Sequence, residues 1–217
     1  MAGAALTGRR MDNMLVDALP EAVLVGDREY SVRTDFRIFI LFELLWQDDG
    51  LGTEEKLRRS LLLCFPEVPR DYGQAVDALL WFYKCGRRER QRKQGRSAGS
   101  RAGRAYSFEH DADYIYAAFM GQYGIDLQDI GHLHWWKFRA MFNSLSDQTE
   151  FVKVMGYRSI DITDDMPESQ KSFYRKMKRM HALPLPKGEE ELQDAIEEAL
   201  MNGGDLTGIL GKGGGTD

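Results

Sequence analysis

The chain has 217 residues, 43% of them hydrophobic and 29% charged, with a net charge of −5. That composition is globular and long enough to bury a core, and its sign excludes a generally basic, DNA-coating protein. The most apolar stretch, Arg37 to Trp46, is broken by Glu43 and falls far short of the roughly 18 residues that a bilayer-spanning helix needs.

Charge is unevenly placed. Gly86 to Arg104 holds eight Lys or Arg and one Glu, while His181 to Asp217 holds eight acidic and two basic residues. Opposed blocks of this kind read as solvated segments or contact tails. The N-terminal MAGAALTGRRMDNML carries no apolar run long enough for a signal peptide, so a cytoplasmic location is expected. Cys64 and Cys85 sit in apolar helical patterns and read as small buried hydrophobes, not a CxxC metal site.

In chain order, residues 1–10 are expected to be disordered. Met11 to Leu19 reads as a short helix stopped by Pro20. Ala22 to Val32 alternates around Gly26-Asp27, a hairpin signal. Thr34 is the expected N-cap of a helix over 35–47 that is apolar nearly all round, hence a central core helix. Thr53 is the expected cap of a second helix carrying Leu57, Leu61 and Phe65, ended by Pro66. Asp71 is the expected cap of a third, with Val76, Leu79, Leu80 and Tyr83 along one face.

Residues 87–104 contain no apolar side chain larger than Ala and predict a flexible basic connector. The alternative is a nucleic-acid contact through Arg87, Arg88, Arg90, Arg92 and Lys93. The absence of aromatics in the run argues against a stacking platform for single strands.

Beyond it, Tyr106-Ser107-Phe108 reads either as a brief strand or as the start of a helix capped by Ser107 and running to Tyr123. Ala112, Ile115, Phe119 and Met120 form its stripe and Gly124 ends it. Asp126 to Ile130 is a turn. His132 to Leu145 is helical, with Trp135, Phe138, Phe142 and Leu145 inward. Asp147 with Glu150 suggests a capping box for the next helix, carrying Phe151, Val154, Met155 and Arg158. Pro167 opens a strongly basic helix to about His181. A hinge, a short acidic helix over 189–201 and a Gly-rich tail complete the chain. The expected fold is mainly α with one N-terminal hairpin. It comprises a lobe over 11–86, the connector over 87–104, a lobe over 105–180 and an acidic tail over 181–217.

Catalytic signatures are missing: the chain has no GxGxxG, GxxxxGK[ST], GxSxG or HExxH. His132 and His134 form an H-x-H pair near Asp126 and Asp129. That pattern suits a metal, or simply a helix entry that packs two Trp on a core. Glu109, Asp111 and Asp113 sit where a helix macrodipole favours acids. No enzyme, cofactor or metal is therefore expected. The region between Tyr106 and Tyr157 holds more aromatic side chains than its helices bury, and Tyr116, Phe119, Tyr123, Trp135 and Trp136 are the candidates to face a partner.

Several blocks carry a family resemblance. They are Tyr30-x-Val32-x-Thr34-Asp35-Phe36-Arg37, then Ser107-Phe108-Glu109-x-Asp111-Ala112, then Ile115 to Phe119, Tyr123 to Leu127, His134 to Phe138, and Tyr157-Arg158. Together, over about 20–160, they resemble tail-assembly chaperones of siphophages and prophages of Gram-positive bacteria, encoded just before the tape measure protein. The resemblance implies a helper that coats that long helical protein in the host cytoplasm and is absent from the mature virion. It also implies a longer form made by frameshifting, here near Gly211-Lys212-Gly213; the acidic helix after Pro186 and the Gly-rich end lie outside the resemblance and read as self-association or partner-contact tails. Neither a membrane nor a nucleic acid is an expected partner.

Overall fold

The computed structural model describes residues 13–87 and 105–184. The segments 1–12, 88–104 and 185–217, with the basic connector, the acidic helix and the Gly-rich tail expected there, lie outside the described residues.

The fold is mainly α. A two-stranded hairpin, β1 (Ala22–Val25) and β2 (Arg28–Ser31), precedes seven helices among the described residues. These are α1 (Phe36–Gln47), α2 (Thr53–Cys64), α3 (Tyr72–Tyr83), α4 (Ala112–Tyr123), α5 (Trp135–Phe142), α6 (Glu150–Ser159) and α7 (Glu168–Met180). The strands pair antiparallel, Val23 opposite Tyr30 and Val25 opposite Arg28, so Gly26-Asp27 is a two-residue turn, with φ +62° at Gly26. Strand alternation buries Val23 and Val25 and exposes Leu24. Packing against α3 supplies the support that an isolated hairpin lacks.

Several helix starts shift from the positions the sequence suggests. Asp35, not Thr34, caps α1, its carboxylate accepting the Arg37 N–H at 3.0 Å. Gly52 occupies the cap of α2 without a side-chain bond, leaving Thr53 inside the helix. Thr149, not Asp147, caps α6, because the hydroxyl of Ser146 already closes the preceding turn on the Gln148 N–H. Asp71 caps α3 as expected. Of the stretch expected as a helix over 11–19, the described part, 13–19, is a single turn anchored by Asn13, and α5 starts only at Trp135. Tyr106-Ser107-Phe108 forms no strand. The Ser107 hydroxyl accepts from the N–H of Glu109 and His110 in a turn that leads into α4. Leu80, Ala112 and Met120, expected inward, are exposed; Ala75, Phe82 and Ala118 take inward places.

Residues from both described segments, 13–87 and 105–184, share one continuous hydrophobic core. Its spine is a run of stacked rings. Phe82 lies on Phe39 at 5.3 Å, Phe39 on Trp135 at 5.1 Å, Trp135 on Phe138 at 5.7 Å and Phe138 on Phe119 at 5.0 Å. Four helices (α3, α1, α5 and α4) are thereby joined by one aromatic column. Each such contact adds about 0.5–1.5 kcal/mol beyond the area it buries. Cys64 is fully buried in this core and Cys85 half-buried at its edge, as expected of small hydrophobes. Burial pushes their thiols up to about 12 and about 11 respectively, which keeps them protonated.

Candidate partner-binding surface

The aromatic residues expected to face a partner divide into two groups. Phe119, Trp135 and Trp136 are core residues, and this corrects the expectation that they present a contact surface. The reason is a polar match that no sequence pattern displays. The indole N–H of Trp135 donates to the Tyr83 carbonyl at 2.9 Å, and that of Trp136 to the Phe82 carbonyl at 2.8 Å. Those carbonyls belong to the last turn of α3; that of Phe82 also accepts the Cys85 N–H at 2.9 Å. Two consecutive indoles thus finish α3 while their rings fill the core. Tyr116 and Tyr123 are half-buried, and their hydroxyls donate to Asp126 Oδ2 at 3.1 Å and to the Met141 carbonyl at 2.8 Å.

His132 and His134 are absorbed by the same architecture. His134 Nδ1 accepts the Trp136 N–H at 3.1 Å, which places the ring proton on Nε2, facing the Pro20 carbonyl at 3.1 Å. Burial lowers its pKa, so the ring is neutral at pH 7. His132 Nε2 lies 3.1 Å from the Thr34 hydroxyl. No group of three or more His, Cys, Asp or Glu is placed to hold a metal among the described residues.

The motif blocks meet in pairs. Thr34-Asp35-Phe36 and Leu133-His134-Trp135 form a short antiparallel bridge. In it the Phe36 N–H donates to the Leu133 carbonyl at 2.9 Å and the Trp135 N–H to the Thr34 carbonyl at 2.7 Å. The Asp35 carboxylate also accepts the Leu133 N–H, and Arg37 reaches the carbonyls of Leu127 and Ile130. Asp111 and Arg158 form the second joint, a two-pronged ion pair at 2.6 and 2.8 Å. These pairs lock helix ends together, so the sequence blocks that carry the resemblance are joints of the scaffold. Arg33, which sequence reasoning passed over, closes the end of α2 by donating to the carbonyls of Leu62, Leu63 and Phe65. No local signal marks it, because Arg33 lies 29 to 32 positions before those carbonyls.

Exposed large hydrophobic side chains among the described residues lie on several elements, Leu41 and Trp46 on α1, Leu62 on α2, Tyr72 and Trp81 on α3, and Phe173 and Met180 on α7. Of these, α7, with 13 residues, is the helix with no buried residue. Phe173, Met177 and Met180 recur at helical spacing along one side. Phe173 is 47% exposed and Met180 62%. Lys171, Arg175, Lys176, Lys178 and Arg179 occupy the rest of the circumference. The helix is held at two points. The Tyr157 ring meets Phe173 edge-on at 6.1 Å and stacks on His181 at 5.8 Å, and Arg158 Nε donates to the His181 carbonyl. Of the nucleic-acid candidates, Arg87 is exposed just past α3, and Arg88, Arg90, Arg92 and Lys93 lie outside the described residues. No helix among the described residues is long and apolar enough to cross a membrane.

A family model described as Bacteriophage Gp15 protein matches residues 15–183, most of the chain. The chain belongs to this bacteriophage protein family. The match to the Gp15 family runs from the turn before the hairpin to the last residues after α7, so α7 is part of the family's shared extent. Neither the curated proteins nor the solved structures contain a match to the chain.

Proposed function

We propose that this chain is a non-catalytic tail-assembly chaperone that binds the tape measure protein transiently in the host cytoplasm and is absent from the finished virion. Membership of a bacteriophage family supports the setting, and the resemblance of the motif blocks supports the tail-assembly role. The observation that carries the binding reading is α7, an amphipathic helix with no buried residue, whose apolar side leaves Phe173 and Met180 exposed. A stripe of that kind needs a partner of matching pattern, and a long amphipathic helix needs a cover against aggregation. Helix-against-helix packing through anchors three and four residues apart satisfies both. The basic remainder of α7 (Lys171, Arg175, Lys176, Lys178 and Arg179) favours approach of an acidic partner.

Co-expression with the tape measure protein of the same phage tests the reading. The expected result is a soluble complex that co-purifies through gel filtration, with no trace of the chain in mature particles. A tape measure protein that behaves identically with and without the chain overturns it. Retention on DNA that falls steeply with salt would instead point to a nucleic-acid role for Arg87 and its neighbours.

A further inference from the structure

Two parts of the described chain complement each other. The first is a groove between α4 and the start of α6, with a volume of about 380 Å³, lined by Tyr114, Ala117, Ala118 and Gly121 on one side and by Gln148 and Glu150 on the other. Small side chains make its floor, and a Cβ placed at Gly121 would meet nothing within 4 Å. The polar groups around it are already paired within the chain. Gln122 donates to the Ser144 carbonyl and accepts from the Ser146 N–H, and the Thr149 hydroxyl donates to the Ser146 carbonyl. The groove therefore offers apolar contact. Its rim is acidic. Glu150 lines it, and Asp113 and Asp147 are exposed next to Tyr114 and Gln148 in the chain. Lys153 approaches Glu150 at 3.8 Å and leaves these groups net negative.

The second part is the exposed side of α7. Phe173 and Met180 are seven positions apart, about 10 Å along the helix, the same separation as Tyr114 and Gly121 along the groove. At about 100° per residue, Lys176, also exposed, lies about 40° from Met180 and about 60° from Phe173, on their own side of α7. A cavity of about 150 Å³ holds a benzene ring, so the groove has room for the Phe173 ring and a methionine side chain. In the same chain Phe173 is held against Tyr157, seven residues or about 10 Å farther along α6 than Glu150. No residue of α7 lines the groove.

We propose that α7 of one copy docks, through Phe173, Lys176 and Met180, in the α4–α6 groove of a second copy. Helix-in-groove packing supplies the apolar contact, and Lys176 meets the acidic rim, which sets the choice of partner more than the affinity. Two different patches meet, so the contact is heterologous, and each docked copy leaves one groove and one α7 available for the next. One helix in one groove is a small interface, so the association is weak and concentration-dependent. The contact does not rest on the tape measure reading. Its consequence, that a neighbour's groove and a partner helix compete for one α7 stripe, does.

Sedimentation velocity of the full-length chain, from low to high micromolar protein, tests the proposal. The wild type is expected to pass from monomer to dimer and larger species as concentration rises, and to associate severalfold more weakly at high salt. Gly121→Leu, which fills the groove, and Phe173→Asp, which removes the ring that enters it, are each expected to stay monomeric while melting close to the wild-type temperature. Mixing the two restores association as a one-to-one dimer that grows no further, since Gly121→Leu keeps its α7 and Phe173→Asp keeps its groove. If Gly121→Leu unfolds, Ala117→Leu closes the same groove one turn earlier. A wild type that stays monomeric throughout, association that survives either substitution, or a mixture that remains monomeric overturns the proposal. No tape measure protein enters the experiment, so its failure is separate from a failure of that reading.

Discussion

Arg158 and Asp111, 47 positions apart, form a two-pronged ion pair in which the carboxylate is 1% exposed and the guanidinium side chain 9%. Asp111 also accepts the Ser107 N–H, and Arg158 also donates to the carbonyls of Ala105 and His181. One side-chain pair therefore fixes the entry to α4, the end of α6 and the end of α7 relative to one another. Only a planar fork of donors satisfies this many acceptors at once.

Asp111→Ala strands the Arg158 charge in the interior, and a loss of about 3–5 kcal/mol is expected. Arg158→Lys recovers only part of the stability, since an ammonium cannot bridge both carboxylate oxygens. Asp111→Asn with Arg158→Met costs less than the two single changes added together. Urea unfolding of Asp111→Ala, Arg158→Lys, Asp111→Asn, Arg158→Met and the Asp111→Asn, Arg158→Met double variant checks this. Additive losses would show that the two groups act independently.

Core and surface aromatics separate by stability. Trp135→Ala removes a fully buried ring and a donor to the end of α3, for an expected cost of about 3–5 kcal/mol. Phe173→Ala, on the open side of α7, should change stability by no more than about 0.5 kcal/mol. Thermal denaturation of the pair measures the contrast directly.

Two neighbouring glycines should respond with opposite signs. Gly124 ends α4 in the left-handed region at φ +64°, so Gly124→Ala should cost about 1–2 kcal/mol. Gly121 lies inside α4, and a Cβ there would meet nothing within 4 Å. Gly121→Ala should therefore stabilise by about 0.5–1 kcal/mol. A loss of stability in Gly121→Ala would mean that α4 is packed differently from the geometry described.

Glu43 gives a pH signature. Burial raises its pKa above the ordinary 4.5, outweighing the Tyr83 hydroxyl bond at 2.8 Å and Arg139 at 3.9 Å. A carboxyl with a raised folded pKa favours the folded state most when protonated. Its contribution is therefore full below about pH 4.5 and is lost as pH rises through the folded value. The stability of the wild type minus that of Glu43→Gln should accordingly fall from pH 4 to pH 7. A difference that is flat or rises over that window contradicts the assignment. Taking the difference removes the other carboxylates, such as Glu55, held at about 2 by Arg58 and Arg59.

The helical class, the hairpin at Gly26-Asp27, the caps at Asp71 and Gly124 and the basic helix after Pro167 were legible in the sequence. Each depends on a local signal: alternation, a capping side chain, a turn residue or a period of 3.6. The candidate site was legible only in part. Amphipathic spacing marks Phe173, Met177 and Met180 as a stripe, yet the same spacing in Phe119, Trp135 and Trp136 marks core. Local pattern cannot separate the two, because burial of the indoles is decided by acceptors at Phe82 and Tyr83, more than 50 positions away. Asp111 likewise reads as a helix-start acid until Arg158 arrives across 47 positions.

The most direct test of the central claim is the affinity of the full-length chain for the tape measure protein, compared between wild type and a Phe173→Glu, Met180→Glu variant that melts at the wild-type temperature. The account predicts that the wild type binds and that the variant loses at least about tenfold in affinity, a change of about 1.4 kcal/mol. Equal affinity of the two, or no binding by the wild type, would contradict it.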